Sequence, residues 1–384
     1  MTGERSIFIS AGEVSGDHYT ARAASLIRKH GFAGRIYGMC GAESRAEGIE
    51  TLWNNEALHL MGFSEVLRSI GSVMRLMKDM RRNILETDPD AMIVADSPDF
   101  HLPLIRYVRK NGYKGRIFYI SPPSVWAWRK GRVKTIRRSV DVSFPLFGFE
   151  DDYLRSEGCD TRWIGHPLAE EFINFTADRG NVSKNISGPA AEGSVIAALL
   201  PGSRRTEIEP LYPVLSGLYK RLESRGVSPV FSVAPGLGGR ARDFLIKKLT
   251  SANERFYEGP GRNIMGMADI VVGASGTATA EALLLRRFMI VLYKVRPMSY
   301  VIGRMLLRGV KFAIPNILAG DYFYPELLQG EATAENALKA VARWLDMDES
   351  KRDGAIRKMD RLAGMMGNPG VYDYWAREIL EVLQ

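Results

Sequence analysis

Cysteine is nearly absent, with only Cys40 and Cys159 among 384 residues. Two thiols so far apart build neither a disulfide framework nor a four-cysteine zinc site, and they fit a reducing compartment. Runs of about 18 uninterrupted apolar residues are missing, so the sequence offers no membrane span. The first 13 residues contain Glu4 and Glu13 and no long apolar stretch, which is not the pattern of a signal peptide. Low-complexity tracts are also lacking. With 46% hydrophobic and 25% charged residues, the composition is that of a globular protein and excludes disordered and collagenous classes. The length, at about 150 residues per domain, predicts two or three domains.

Acidic residues disappear from two stretches. Between Phe100 and Val140 there are eleven Lys or Arg and no acid, and between Ala282 and Gly320 there are seven and none. The net charge is +8, and Arg supplies 37 of the 52 basic residues. Arg suits bidentate contact with phosphate. The tracts read as surfaces for polyanions, whether nucleotide diphosphate, phosphorylated lipid, anionic membrane or nucleic acid, or else as solvated helix faces.

Short apolar runs alternate with amphipathic stretches. Ser6–Ser10, Arg35–Met39, Ala91–Ala95, Ile117–Ile120 and Val140–Phe144 read as buried parallel strands, with helices such as Tyr19–Lys29 and Leu102–Asn111 between them. A stretch poor in apolar residues, Asp178–Ser194, reads as a linker. The pattern then restarts with strands at Val195–Leu200, Val230–Val233, Ile270–Gly273 and Met289–Tyr293. This predicts an α/β protein of two Rossmann-like doubly wound domains facing a cleft. The expected division is residues 1–177, a linker at 178–194, residues 195–345, and C-terminal helices over 346–384 that dock on the first half or on a second subunit.

Residues at the carboxyl ends of strands are the candidates for chemistry. AGEVSGD at 11–17 follows the first strand; its glycines permit a tight turn, and Ser15 or Asp17 suits a helix cap, while Glu13 sits where ligands bind. Asp96 and Asp99 in DSPDF suit a base with an orienting partner, or the capping of the helix that follows. By position Asp96 is the chemical candidate and Asp99 the cap. Ser124 and Trp126, in SPPSVWAW ahead of Arg129, Lys130 and Arg132, read as a stacking or acyl-lining surface or as core. In the second half, Gly202, Ser203 and Arg204 form a small-residue loop that can hold a diphosphate. Ser275, Gly276, Thr277 and Thr279 repeat that logic, and Glu281, one turn later, can accept from ribose hydroxyls. From Met61 to Arg82, apolar residues including Met61, Met74 and Met77 recur at helical spacing among Arg and Lys, a pattern for an anionic membrane surface or for a buried face. Tyr300–Ile314 is a second such stretch.

These segments together resemble the lipid-A-disaccharide synthase family of inverting, two-Rossmann glycosyltransferases. The matching stretches run in order along most of the chain: AGEVSGD, MGFSEVL (61–67), DSPDF, PSVWAWR (123–129), GHPL (165–168), LLPGSR (199–204), SGTATAE (275–281), PNILAG (315–320) and PELLQ (325–329). The resemblance implies transfer from UDP-2,3-diacylglucosamine to 2,3-diacylglucosamine 1-phosphate, giving a β-1′,6-linked disaccharide phosphate and UDP. It implies no metal, no cofactor and no nucleic-acid partner. It places the enzyme, a monomer or homodimer, at the cytoplasmic face of an inner membrane with an anionic surface. By position it makes Asp96 the base with Glu13 beside it. It puts Gly202, Ser203, Arg204, Ser275, Gly276, Thr277, Thr279, Glu281, Asn316, Glu326 and Gln329 at the nucleotide sugar. Ser15, Asp17, Met61, Met74, Met77, Ser124 and Trp126 then fall on the acceptor side.

Overall fold

Buried β-branched and aromatic runs dictate the framework seen in the computed structural model, which describes residues 5–55, 66–188, 194–235, 237–294 and 311–383. The chain divides into two compact units. Unit 1 comprises residues 1–170 and 366–384, and unit 2 comprises residues 171–365.

Unit 1 holds β1 (Ser6–Ala11), β2 (Arg35–Cys40), β3 (Glu50–Asn54), β4 (Ala91–Ala95), β5 (Arg116–Ile120) and β6 (Val142–Phe144) in one sheet, ordered β3-β2-β1-β4-β5-β6 with all pairs parallel. Side-chain alternation feeds two cores. Ile7, Ile9, Ile93, Phe118 and Ile120 point to one face, and Phe8, Met92, Val94, Ile117 and Tyr119 to the other. Both faces are covered by helices, which is why the strands read as continuous apolar runs.

The last helix, Val371–Leu383, lies on the first face against the helix Val14–Lys29, with Trp375 at 6.1 Å from the Tyr19 ring and His30 at 2.6 Å from Asp373. The helix before it, Glu349–Gly364, belongs to unit 2. The C-terminal helices read as one block are thus divided between the two units.

Unit 2 holds β7 (Ile196–Leu200), β8 (Ser228–Val233), β9 (Phe256–Glu258), β10 (Ile270–Ala274), β11 (Met289–Tyr293) and β12 (Glu326–Leu328), ordered β12-β11-β10-β7-β8-β9 and again all parallel. Counted from its own first strand, each sheet runs 3-2-1-4-5-6, the doubly wound Rossmann order. Part of the stretch read as linker is structured: Arg179–Lys184 is a helix capped by Asp178, Val182 is buried, and Ile186 pairs with Tyr257. Three short strands, β3, β9 and β12, leave little trace in the sequence because none carries a continuous apolar run.

Candidate active site

In unit 1 the switch point of the strand order lies between β1 and β4, and their carboxyl ends meet around Asp96. The Gly12 amide donates to Asp96 Oδ1 at 3.1 Å and the Glu13 amide to Oδ2 at 3.2 Å. The glycines beside them leave room for the carboxyl group. A Cβ on Gly16 would lie 1.9 Å from Asp96 Oδ2, and one on Gly12 would lie 2.0 Å from Ser97 Oγ. Asp96 and Ser97 both adopt left-handed backbone conformations, with φ of 52° and 40°. Such conformations cost about 1–3 kcal/mol per non-glycine residue and persist only where neighbours fix them.

Burial pushes the Asp96 carboxyl up to about 7; the Ser97 hydroxyl opposes the rise, Glu13 adds to it, and the two amides pull against it. A carboxyl that changes charge near neutrality suits general-base work.

Asp96 is also held from behind. His101 Nδ1 and the Tyr119 hydroxyl each lie 2.8 Å from its carbonyl oxygen, and Ser10 Oγ lies 2.8 Å from His101 Nε2. Neither His101 nor Tyr119 was singled out in the sequence. A signal existed for His101: with Leu104, Ile105 and Val108 it lies on the apolar stripe of the helix Pro98–Lys110.

Other unit 1 candidates have internal partners. Asp99 ion-pairs with Arg129 and Arg132 and caps no helix end. Arg129 and Arg132 also stack on Trp128. Asp17 is 3% exposed, and its carboxylate accepts from the Gly41 and Glu43 amides at 2.7 and 2.9 Å, so it anchors the helix Ala42–Ala46 and presents no open face to an acceptor. Ser15 is exposed. Ser124 Oγ and Trp126 Nε1 each donate at 3.1 Å to Glu150 Oε1, a buried carboxyl raised by desolvation against those two bonds. Trp126 packs edge-on against Phe149. Nothing in the local sequence marks Glu150 as buried.

In unit 2, Gly202 has φ of 111° and packs on Glu207, whose carboxylate accepts from the Ser203 amide at 3.0 Å. Ser203 and Arg204 lie exposed at the start of the helix Arg205–Glu223. The second loop follows β10: Gly276, with φ of 137°, caps the helix Thr277–Leu284, and Gly276 and Thr277 are exposed. First-turn amides of a helix lack intrahelical acceptors and favour anions. Ser275 donates to the Phe312 carbonyl at 2.9 Å, and buried Thr279 accepts from the Ile314 amide at 3.1 Å.

Glu281 is raised to about 7 by burial, with Arg262 opposing and Glu171 adding. Asn316 is fully buried; it donates to the Tyr324 carbonyl and to Glu326, each at 2.8 Å, and accepts from the Phe323 and Tyr324 amides. Glu326 also accepts from the Phe312 and Ala313 amides. Asn316 and Glu326 therefore hold the loop together from inside, and Gln329 follows β12 with φ of 50°.

The family described as lipid-A-disaccharide synthetase matches residues 7–366. The chain belongs to this family. Among curated relatives, the lipid-A-disaccharide synthase of Myxococcus xanthus is 33% identical over 388 aligned residues, covering 100% of this chain and 99% of the relative. That of Alcanivorax borkumensis is 35% identical over 347, covering 89% of each. Solved structures of similar fold include UDP-GlcNAc 2-epimerase from Methanocaldococcus jannaschii in complex with UDP-GlcNAc and UDP. It has TM-score 0.62 and 14% identity, over 98% of this chain and 99% of that one. A putative UDP-N-acetylglucosamine 2-epimerase from Listeria monocytogenes has TM-score 0.63 and 14% identity, over 99% and 95%. At such identity the likeness concerns the fold alone, two Rossmann-like units.

For a family acting on lipids, the helix Val66–Thr87 matters next. Met74 is 62% exposed on it, whereas Met77 is 7% exposed and belongs to the core. Met61 and most of Tyr300–Ile314 lie outside the described residues. Among the described residues, no helix is long and apolar enough to cross a membrane, and no group of three His, Cys, Asp or Glu could hold a metal ion.

Proposed function

We propose that this chain joins UDP-2,3-diacylglucosamine to 2,3-diacylglucosamine 1-phosphate, with Asp96 as the base. The acceptor 6-hydroxyl oxygen attacks C1 of the donor sugar, its proton passes to the Asp96 carboxylate, and the bond from C1 to the diphosphate oxygen breaks with its electron pair leaving on UDP. Attack opposite the leaving group converts the α-linked donor into a β-linked product. Unit 1 supplies the base and unit 2 the donor site, as each sheet's switch point leads one to expect.

Departing diphosphate needs positive potential where its charge develops. Arg204 and the exposed N-terminus at Gly276 and Thr277 provide it, while the bond from the Ser203 amide to Glu207 holds the Gly202–Arg204 loop in place. Glu281 accepts from the ribose, and Ser275, Thr279, Asn316, Glu326 and Gln329 shape that site. On the acceptor side Glu13 and Ser15 line the edge beside Asp96, while Asp17, Ser124 and Trp126 support it through their internal bonds. Met74 and the Arg and Lys residues around it dock unit 1 on an anionic membrane at its cytoplasmic face.

The observation that carries this reading is a buried carboxyl group held by the Gly12 and Glu13 amides at the β1/β4 edge, in a chain that matches the family almost end to end. The test is UDP release in detergent by the purified chain, with and without acceptor. Release that depends on acceptor, and that Asp96→Asn abolishes while UDP binding persists, is the expected result. Equal release without acceptor would count against transfer and would favour hydrolysis or epimerase-like chemistry.

A further inference from the structure

The Asp96 carboxyl group is fixed by amides of the turn after β1, but its carbonyl oxygen is fixed by side chains from two other elements. A backbone carbonyl can only accept, so His101 Nδ1 carries the proton that bonds the Asp96 oxygen. Its bare Nε2 then accepts from the Ser10 hydroxyl. Burial depresses the His101 pKa to about 4, so the ring is neutral and this tautomer holds across the physiological range. The Tyr119 hydroxyl, from β5, donates to the same Asp96 oxygen. That oxygen lies outside the helix ladder: the Phe100 and His101 amides, in the first turn of the helix Pro98–Lys110, bond to Ser97 instead. The left-handed turn at Asp96 and Ser97 thus owes its fixed acceptor geometry to two side-chain donors. The imidazole also ties Ser10, two residues before Gly12, to the strand end that bears Asp96.

We propose that His101 and Tyr119 are positioning residues that clamp the Asp96 carbonyl and so hold its carboxyl group against the Gly12 and Glu13 amides. Neither touches the reacting atoms, and the inference rests on Asp96 being the base. A loosened turn lets the carboxyl group swing toward water. Turnover then falls while substrate affinities persist, and the group's pKa drops toward the ordinary carboxylate range.

The test compares kcat, KM for each substrate and the pH profile of kcat/KM for the parent, His101→Ala, His101→Asn, Tyr119→Phe and Asp96→Asn. His101→Ala should lower kcat at least tenfold with both KM values within about twofold, and should move the acidic limb of the profile to lower pH. Tyr119→Phe, which removes one oxygen atom, should lower kcat three- to tenfold and move the limb in the same direction. His101→Asn, whose amide N–H can reach where Nδ1–H stood, should recover most of the loss.

An inactive Asp96→Asn alongside a Tyr119→Phe enzyme with the parent's kcat and pH limb would overturn the clamp alone, even if His101→Ala fails to fold. An active Asp96→Asn would overturn the clamp together with the base assignment.

Discussion

Gly16→Ala adds one methyl group at the third position of the helix Val14–Lys29. In an exposed helix interior that exchange stabilises by about 1 kcal/mol. Here the new Cβ would lie 1.9 Å from Asp96 Oδ2, 2.8 Å from its Cγ and 3.2 Å from the Ala95 Cβ. The carboxylate oxygen must retreat by about 1.5 Å to reach an ordinary contact of 3.4 Å. The movement breaks the bond from the Glu13 amide, currently 3.2 Å. A displacement of about 1 Å at a reacting group costs roughly 100-fold in rate. Hydrogen bonds to a charged group contribute about 1.5–3 kcal/mol, partly recovered from water and offset by helix propensity, so stability should change by less than about 2 kcal/mol. The expected variant is therefore folded, binds UDP like the parent and turns over at least 100-fold more slowly. Circular dichroism, UDP titration and acceptor-dependent UDP release measure the three. A folded Gly16→Ala enzyme with the parent's kcat would refute the claim that this glycine exists to seat Asp96.

Three further outcomes follow from the same geometry. Because the Asp96 pKa is raised in the folded state, its contribution to stability is fully present below about pH 4 and is lost as pH climbs through about 7. Asp96→Asn should therefore lose less stability than the parent between pH 5 and pH 8, by up to about 2.7 kcal/mol for the roughly two pKa units crossed at 1.36 kcal/mol each; urea unfolding at both pH values giving equal losses would contradict the shift. Asn316→Ala removes a fully buried side chain with four hydrogen bonds, and leaving its partners unpaired should destabilise unit 2 by about 3 kcal/mol and weaken UDP binding, as seen by calorimetry. Met74→Ser should reduce sedimentation with anionic vesicles and leave the melting temperature unchanged. Met77→Ser, in the core, should instead lower the melting temperature.

Much of this fold is written in the sequence because parallel strands buried on both faces leave uninterrupted apolar runs. Ala91–Ala95 and Met289–Tyr293 coincide with β4 and β11, and the small-residue loops at Gly202 and Gly276 stand where the strands end. Asp96 is legible for the same reason. Side-chain direction is not. Asp17, Asn316 and Glu326 lie in segments that read as ligand-facing, but their polar groups are taken up by backbone amides and carbonyls of neighbouring loops. Their bonding depends on contacts distant in sequence, such as Asp17 with Gly41, which periodicity does not report. His101 and Glu150 escaped for the converse reason, being polar residues in buried positions whose partners come from other elements.

A proton NMR spectrum of the sugar product made by the purified chain from α-linked UDP-diacylglucosamine and the diacylglucosamine 1-phosphate acceptor reads the stereochemistry of transfer directly. A disaccharide phosphate whose new anomeric proton shows the large trans-diaxial coupling of a β-linkage to O6 is the predicted result. An α-linkage, or a donor sugar altered but not transferred, would contradict single displacement with Asp96 as the base.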